Sequence, residues 1–339
     1  MDLESLLSEE YKKSPHGSAH ADPADAYRGV PFLKKPVWKN EIAAYFFLGG
    51  VSAGSALLGS IAELVGGPAH RKFAHTAHYV SFVTFLPCPA LLIDDLGVPS
   101  KFYHMLRVFK PSSPMNLGSW AFAVHGAGAT ITVLRMLAAD GKLPLIGAPI
   151  AMLPEKLLAA LGIPSSLLLA GYTGVLLGTT SIPVWYTSRL LGALFTSGSI
   201  ATGAAAVVAA AAVSDIEDHN ALQSVATIRL VADVATLIGY VAYVRTTGAA
   251  SDPLWAGERR ILNVTSLATL ALSILGGVAA ISGRASRMGR FLGAISSLAS
   301  GALMRWAIVR AGRVSAEDRQ GALHAMRATE KRPGWTPPA

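Results

Sequence analysis

The chain has 339 residues, 52% of them hydrophobic and only 15% charged, with a positive mean hydropathy. A soluble globular protein carries about 25% charge, so this composition excludes an ordinary soluble enzyme and points to an integral membrane protein. The formal net charge of +8 fits basic loops that fix membrane orientation and asks for no nucleic acid, while the single cysteine, Cys88, excludes an intramolecular disulfide, a four-cysteine zinc site and an iron–sulfur cluster held by this chain's cysteines alone.

Residues 1–40 are polar and are expected to form a soluble arm. Within it a short helix is expected over Ser5–Lys13 and extended chain from Pro15 to Pro36. The arm has no apolar core of a signal peptide, so the first spanning helix is expected to direct insertion. Eight apolar segments follow, several reaching the roughly 20 residues needed to cross a bilayer. The first, Glu41–Val65, carries a small-residue face of Gly49, Gly50, Ala53, Gly54 and Ser55 for close helix packing, and Glu63 near its far end. The second, Phe73–Asp94, starts with His75 and His78; Pro87 and Pro89 should kink or unwind its end. The third, Leu117–Ala139, contains His125. Gly141–Pro164, with its prolines, reads as an interfacial segment.

The fourth helix is expected over Ser165–Thr187 and the fifth over Ser188–Val213, which is rich in Ala, Gly and Ser and therefore expected at the centre. An acidic turn, Ser214–Asn220, leads to the sixth, Leu222–Thr247, with Arg229 and Asp233 four apart on one face. The seventh is expected over Arg260–Ser282 and the eighth over Gly289–Gly312, with Arg305 inside it. The expected fold is thus an all-α integral membrane protein. Residues 41–312 form eight transmembrane helices in two four-helix halves, between soluble arms at 1–40 and 313–339. Eight crossings return both termini to one side, here called side A. The Lys/Arg excess lies on side A, which favours a cytoplasmic placement of both termini in a cell inner (cytoplasmic) membrane.

Side A gathers unusual groups: Asn40 and Glu41, Asp94 and Asp95, Trp185 and Tyr186, with His125 about two turns in. Carboxylate, imidazole and phenol beside an apolar crevice suit a quinone headgroup, whose flat ring is apolar and whose carbonyls need donors and protons. The same residues also read as a helix end and interfacial anchors. Arg229 and Asp233 read either as a buried salt bridge or as part of a proton path from the opposite side, with Glu63 or His125, to the quinone.

One stretch is more specific. Asp95-Leu96-Gly97-x-Pro99, Phe102, Met105-Leu106-Arg107-x-Phe109-Lys110-Pro111-x-Ser113-Pro114-Met115 and Gly118-Ser119-Trp120 resemble the NrfD / polysulfide-reductase membrane-subunit family. So does Tyr45-Phe46-Phe47-Leu48-Gly49-Gly50 with Ala53-Gly54-Ser55, and more weakly Tyr172-Thr173-Gly174 with Ile182-Pro183-x-Trp185. The resemblance implies a quinone-reactive anchor of a multisubunit oxidoreductase, with exchangeable menaquinone or ubiquinone and no intrinsic haem, iron–sulfur cluster or metal. It implies a ferredoxin-like 4Fe-4S partner subunit and a molybdopterin-type catalytic subunit. Carried over by motif, Asp95 is the leading quinone-site acid. Asn40 and Glu41 stand where the family places polar residues, and Tyr45 stands in for a histidine that this chain lacks. Lys101, Arg107 and Lys110 would face the partner, or else only fix orientation as solvated loop charges.

Two other readings remain open. A di-haem cytochrome needs facing histidine pairs on different helices, but His75 and His78 share one helix end and His125 has no evident partner. A secondary transporter uses broken helices and mid-membrane charges, which Pro87/Pro89 and Arg229/Asp233 permit.

Overall fold

A computed structural model describes residues 33–66, 70–143, 147–214, 219–318 and 322. The expected Ser5–Lys13 helix, most of the acidic turn and most of the C-terminal tail lie outside the described residues. Among the described residues every regular element is helical. Eight helices are long and apolar enough to cross a membrane: Asn40–Val65, Arg71–Asp94, Pro114–Ala139, Glu155–Gly178, Leu191–Val213, Asn220–Trp255, Gly257–Ile281 and Arg287–Ser315. They are called the first to eighth spans below.

The first four spans close a ring, each packing on its neighbour in sequence and the fourth returning to the first. The last four do the same. The first span meets the fifth and the eighth, and the fourth also meets the fifth, so the two rings share a wall. Small residues make that wall thin. A Cβ on Gly54 would stand 2.0 Å from the Ser199 carbonyl oxygen, and one on Gly203 would stand 2.4 Å from the Gly54 carbonyl carbon. Only backbone-to-backbone contact fits there, as small-residue faces allow in membranes. The expectation that the fifth helix is central holds, and the first is central too.

Several threonine hydroxyls inside the spans are satisfied locally. Thr84, Thr130, Thr196, Thr202 and Thr236 each donate to the carbonyl one turn back, which keeps them tolerable in hydrocarbon. The second span breaks at its prolines: one helix covers Arg71–Phe85 and another Cys88–Asp94.

Most boundaries shift by a few residues, and three of the differences bear on the candidate site. The third span begins at Pro114, because Ser113 caps it by accepting from the Asn116 N–H and proline suits the first helical turn. The fourth span begins at Glu155 and runs through Pro164, so Gly141–Pro164 is not one interfacial segment; only the short helix Gly147–Ala151 stands apart. A single proline in an apolar helix is carried through, since neighbouring groups relieve the lost bond. That span also ends early, at Gly178. The Thr179 and Thr180 hydroxyls take the carbonyls of Leu176 and Leu177 at 2.8 and 2.7 Å, and Trp185 and Tyr186 fall in a separate short helix, Pro183–Tyr186.

The chain ends of the bundle are latched together on side A. Lys35 pairs with Glu317. Arg310 donates to Glu258 at 2.6 Å and to Asn40 at 3.2 Å.

Candidate functional site

The first four-helix ring is hollow toward side A. Its cavity, about 610 Å³, falls within the roughly 300–1,000 Å³ of small-molecule sites. The first span lines it with Ile42, Tyr45 and Phe46. The broken second span contributes Phe85, Pro89, Leu92, Ile93 and Asp95. The third supplies a stripe from Met115 through Gly118, Phe122 and Gly126 to Ile131, and the fourth adds Tyr172 and Leu176. Phe102, Met105 and Leu106 close it from the loop above. The break at Pro87 matters here: it turns the end of the second span so that the short helix Cys88–Asp94 presents its last turn to the cavity mouth.

The walls are apolar and aromatic. Phe85 lies 4.6 Å from Phe122, and Tyr45 meets Phe122 edge-on at 5.7 Å. Space is opened by glycines facing rings. A Cβ on Gly118 would lie 1.8 Å from the Tyr172 ring, and one on Gly126 would lie 2.4 Å from Phe85.

Polar atoms are few, and most are committed. Tyr172 donates to the Pro114 carbonyl at 2.7 Å, Ser119 to Met115 at 3.1 Å and Thr130 to Gly126 at 2.7 Å. Among the described residues Asp95 is the only carboxylate lining the cavity. Among the described residues neither its side chain nor the Tyr45 hydroxyl makes a hydrogen bond. These two are therefore free to meet a ligand. Asp95 sits just past the end of the second span, half-buried at the rim. Burial raises its pKa above the ordinary carboxylate value, the Glu41 carboxylate raises it further and Asp94 adds to that, while Lys39 opposes. The result is a carboxyl that gives up its proton less readily than an ordinary aspartate does.

The other expected site residues lie outside the cavity lining. Asn40 is exposed and accepts from Arg310. Glu41 lies in the first turn of the first span, with one buried oxygen unpartnered, and acts on Asp95 through its charge. Asp94 faces out, exposed. Trp185 is fully buried; it donates to the Ile308 carbonyl at 2.9 Å and stacks on Trp38 at 5.5 Å. It pins the eighth span to the side-A helix, and Tyr186 beside it is half-buried. Trp38, which stacks on Trp185, does line the cavity.

His125 lies deeper than two turns, because the third span starts earlier: 11 residues in, about 16 Å. It stands behind Phe85, at 5.6 Å between rings. Its Nε2 is 2.9 Å from the Ser52 hydroxyl, which is 3.1 Å from the Ser81 hydroxyl. One turn beyond Ser81 toward the opposite side, His78 pairs with Glu63 at 3.3 Å, both side chains at most 5% exposed.

Arg229 and Asp233 form no direct ion pair. Ser273 lies between them, accepting from Arg229 at 3.1 Å and donating to Asp233 at 2.6 Å. Both sit in the second ring, away from the large cavity, because the sixth span packs on the fifth and seventh rather than on the first four. Lys101, Arg107 and Lys110 are exposed on the loop that closes the cavity. Phe102, Tyr103 and Phe109 are exposed beside them.

Sequence reasoning missed Trp38 in the cavity wall and three residues that brace the site. Asn116 ties that loop down: it accepts from the Lys110 N–H at 2.7 Å and donates to the Met105 and Val108 carbonyls at 2.8 and 2.9 Å. Ser52 and Ser81 connect three spans. The position of Asn116 three residues after Ser113, inside the most specific motif, was the only available signal.

With this geometry in place, the chain matches the family described as polysulphide reductase, NrfD, over residues 29–317, and it belongs to that family. It is therefore a multi-pass membrane protein, the membrane anchor of a redox complex that works with other redox subunits. No curated protein matches the chain.

Proposed function

We propose that this chain is the quinone-reactive subunit of its complex, exchanging electrons between an iron–sulfur partner and menaquinone or ubiquinone in a cell inner membrane. The observation that carries this reading is the cavity itself: apolar walls, a mouth at the membrane edge, and two uncommitted polar groups, Asp95 and Tyr45, within it. A flat apolar ring lies against the wall that Phe85, Phe122 and Tyr45 form together, and its oxygens need donors. Reduction of a quinone takes two electrons and two protons. The electrons come from the partner, which is a ferredoxin-like 4Fe-4S subunit completed by a molybdopterin-type subunit. Both protons pass in turn through the Asp95 carboxyl at the rim, which reloads from side A between transfers and whose raised proton affinity suits a donor to an oxygen that gains charge. Tyr45 orients the ring by donating from its hydroxyl.

The partner sits on side A, on the loop carrying Lys101, Arg107 and Lys110. Exposed aromatics among exposed cations give that loop the make-up of a docking surface rather than of a solvated turn. Protons from the opposite side enter the first ring at the buried Glu63–His78 pair, one helical turn short of the Ser81–Ser52–His125 chain that continues toward the cavity. Asp233 and Arg229 belong to a separate buried network in the second ring.

The test is Asp95→Asn in the native complex. Assembly with partner subunits is expected to survive, and quinone turnover is expected to fall roughly 10²-fold or more. Wild-type turnover in an assembled variant would remove Asp95 from the reaction and with it this assignment of the cavity.

A further inference from the structure

The second ring contains a charge arrangement that the quinone reading does not use. Arg229, Asp233 and Arg305 are 1%, 1% and 3% exposed. Two guanidiniums thus share the membrane interior with one carboxylate. Arg229 reaches that carboxylate through Ser273. Arg305 reaches no carboxylate. Its two terminal nitrogens donate to the Gly301 carbonyl and the Ser199 hydroxyl, both at 3.0 Å, and its plane lies 5.4 Å from the Phe195 ring. Among the described residues its Nε–H has no partner.

A second, much smaller cavity lies beside it. Its free space is about 10 Å³, and Arg305, Asp233, Ser300, Thr202 and Thr236 are among its walls. One water molecule needs roughly 10–15 Å³ and two to four polar partners. The Ser300 hydroxyl is, like the Arg305 Nε, buried and unpartnered. Two orphaned polar groups therefore border one water-sized space, with a carboxylate on its wall. Buried polar groups in proteins are almost always paired, through ordered water where no side chain reaches.

We propose that a single water molecule is a built-in part of the second ring, bound between Arg305 and Asp233. It accepts from the Arg305 Nε–H, shares a hydrogen bond with the Ser300 hydroxyl and donates to Asp233. That last bond selects water over a halide, which cannot donate and would be repelled by the carboxylate. Asp233 has room for it: it already accepts from Ser273 at 2.6 Å and Ser297 at 2.9 Å, and a carboxylate takes about four donors. With the water in place, Asp233 is the counterion of both arginines. One chain of hydrogen bonds then runs Arg229–Ser273–Asp233–water–Arg305–Ser199. Its last members reach the wall between the rings, where a Cβ on Gly50 would come within 2.7 Å of Ser199 Oγ and 2.8 Å of Arg305 Nη2. This inference stands whether or not the large cavity binds quinone.

The experiment has two parts, both on the purified full chain. The first is a high-resolution cryo-electron map, in which one peak is expected among Arg305 Nε, Ser300 Oγ and the Asp233 carboxylate. The second is a thermal-melting cycle of Asp233→Asn, Arg305→Met and the double variant. The side chains share no direct bond, so a double variant no less stable than the worse single one supports the bridge. Additive losses of melting temperature, or an empty space in the map, overturn it. A melting temperature that rises with chloride or bromide, or a peak strengthened by bromide, also overturns it, in favour of an anion. If Asp233→Asn fails to fold, Ser300→Ala keeps the question open to test. It changes no charge, and the peak is expected to weaken; an unchanged peak overturns the assigned ligand set.

Discussion

Gly118 and Tyr172 face each other so closely that the Cβ glycine lacks would fall 1.8 Å from the tyrosine ring. The tyrosine hydroxyl is meanwhile held at 2.7 Å by the Pro114 carbonyl, at the start of the span that carries Gly118. The pair sets the width of the cavity near its mouth. Gly118→Ala must push Tyr172 aside and break that bond. Quinone turnover is expected to fall at least tenfold with partner assembly retained, and overpacking is expected to cost about 1–3 kcal/mol of stability. Turnover measured beside Gly118→Ala/Tyr172→Phe tests the cause: restoration in the double variant would show that the hydroxyl contact, not the ring, was the obstacle.

The proton affinity of Asp95 is set by its neighbours, and this predicts the direction of a pH profile. Burial, Glu41 and Asp94 raise its pKa, and Lys39 lowers it. The acidic inflection in quinone turnover is therefore expected above the ordinary aspartate value of about 3.9. Glu41→Gln removes a negative neighbour, makes ionisation easier and moves the inflection down. Lys39→Met removes a positive neighbour and moves it up. An inflection unmoved by either change belongs to another group.

Asn116 holds the cavity's loop by three hydrogen bonds to backbone groups of Met105, Val108 and Lys110. Asn116→Ala should release residues 105–110 with little effect on the spans, at about 1–3 kcal/mol of local order. Faster hydrogen exchange confined to that loop, together with weaker retention of partner subunits, is the expected outcome. Unchanged exchange would mean the loop is held by other contacts.

Gly54 tests the wall between the rings. Its Cβ would meet the Ser199 carbonyl oxygen at 2.0 Å, and backbone cannot swing away as a side chain can. Gly54→Ala is expected to lower the melting temperature of the full chain more than Gly128→Ala, where a Cβ meets nothing within 4 Å. Equal effects would show that the wall yields.

Much of this was legible in the residues, and the failures share a cause. The spans could be read because each is a run of apolar residues long enough to cross hydrocarbon, and Asp95 stood out because a carboxylate ended such a run. The fourth span was misread because Pro164 looks like a terminator, though a transmembrane helix carries it. Trp185 read as an interfacial aromatic, whereas its burial depends on Gly312 of the eighth span, where a Cβ would fall 1.9 Å from its ring. The contact of Ser52 with His125 joins residues 73 apart. Such facts depend on which helix faces meet, and periodicity within one segment does not carry that information.

The stripe on the third span from Met115 to Ile131 covers 17 residues, about 24 Å of helix. A ring at the mouth occupies only its upper part. The remainder is an apolar trench running toward the bilayer centre, which under the proposed quinone reading takes the isoprenoid tail rather than the head. An assay with a short-chain, water-soluble analogue would therefore sample the mouth alone. It would underrate every residue along the lower trench, Gly126 and Ile131 among them, and the ratio of KM values for native and truncated chains would measure how much of the grip lies there.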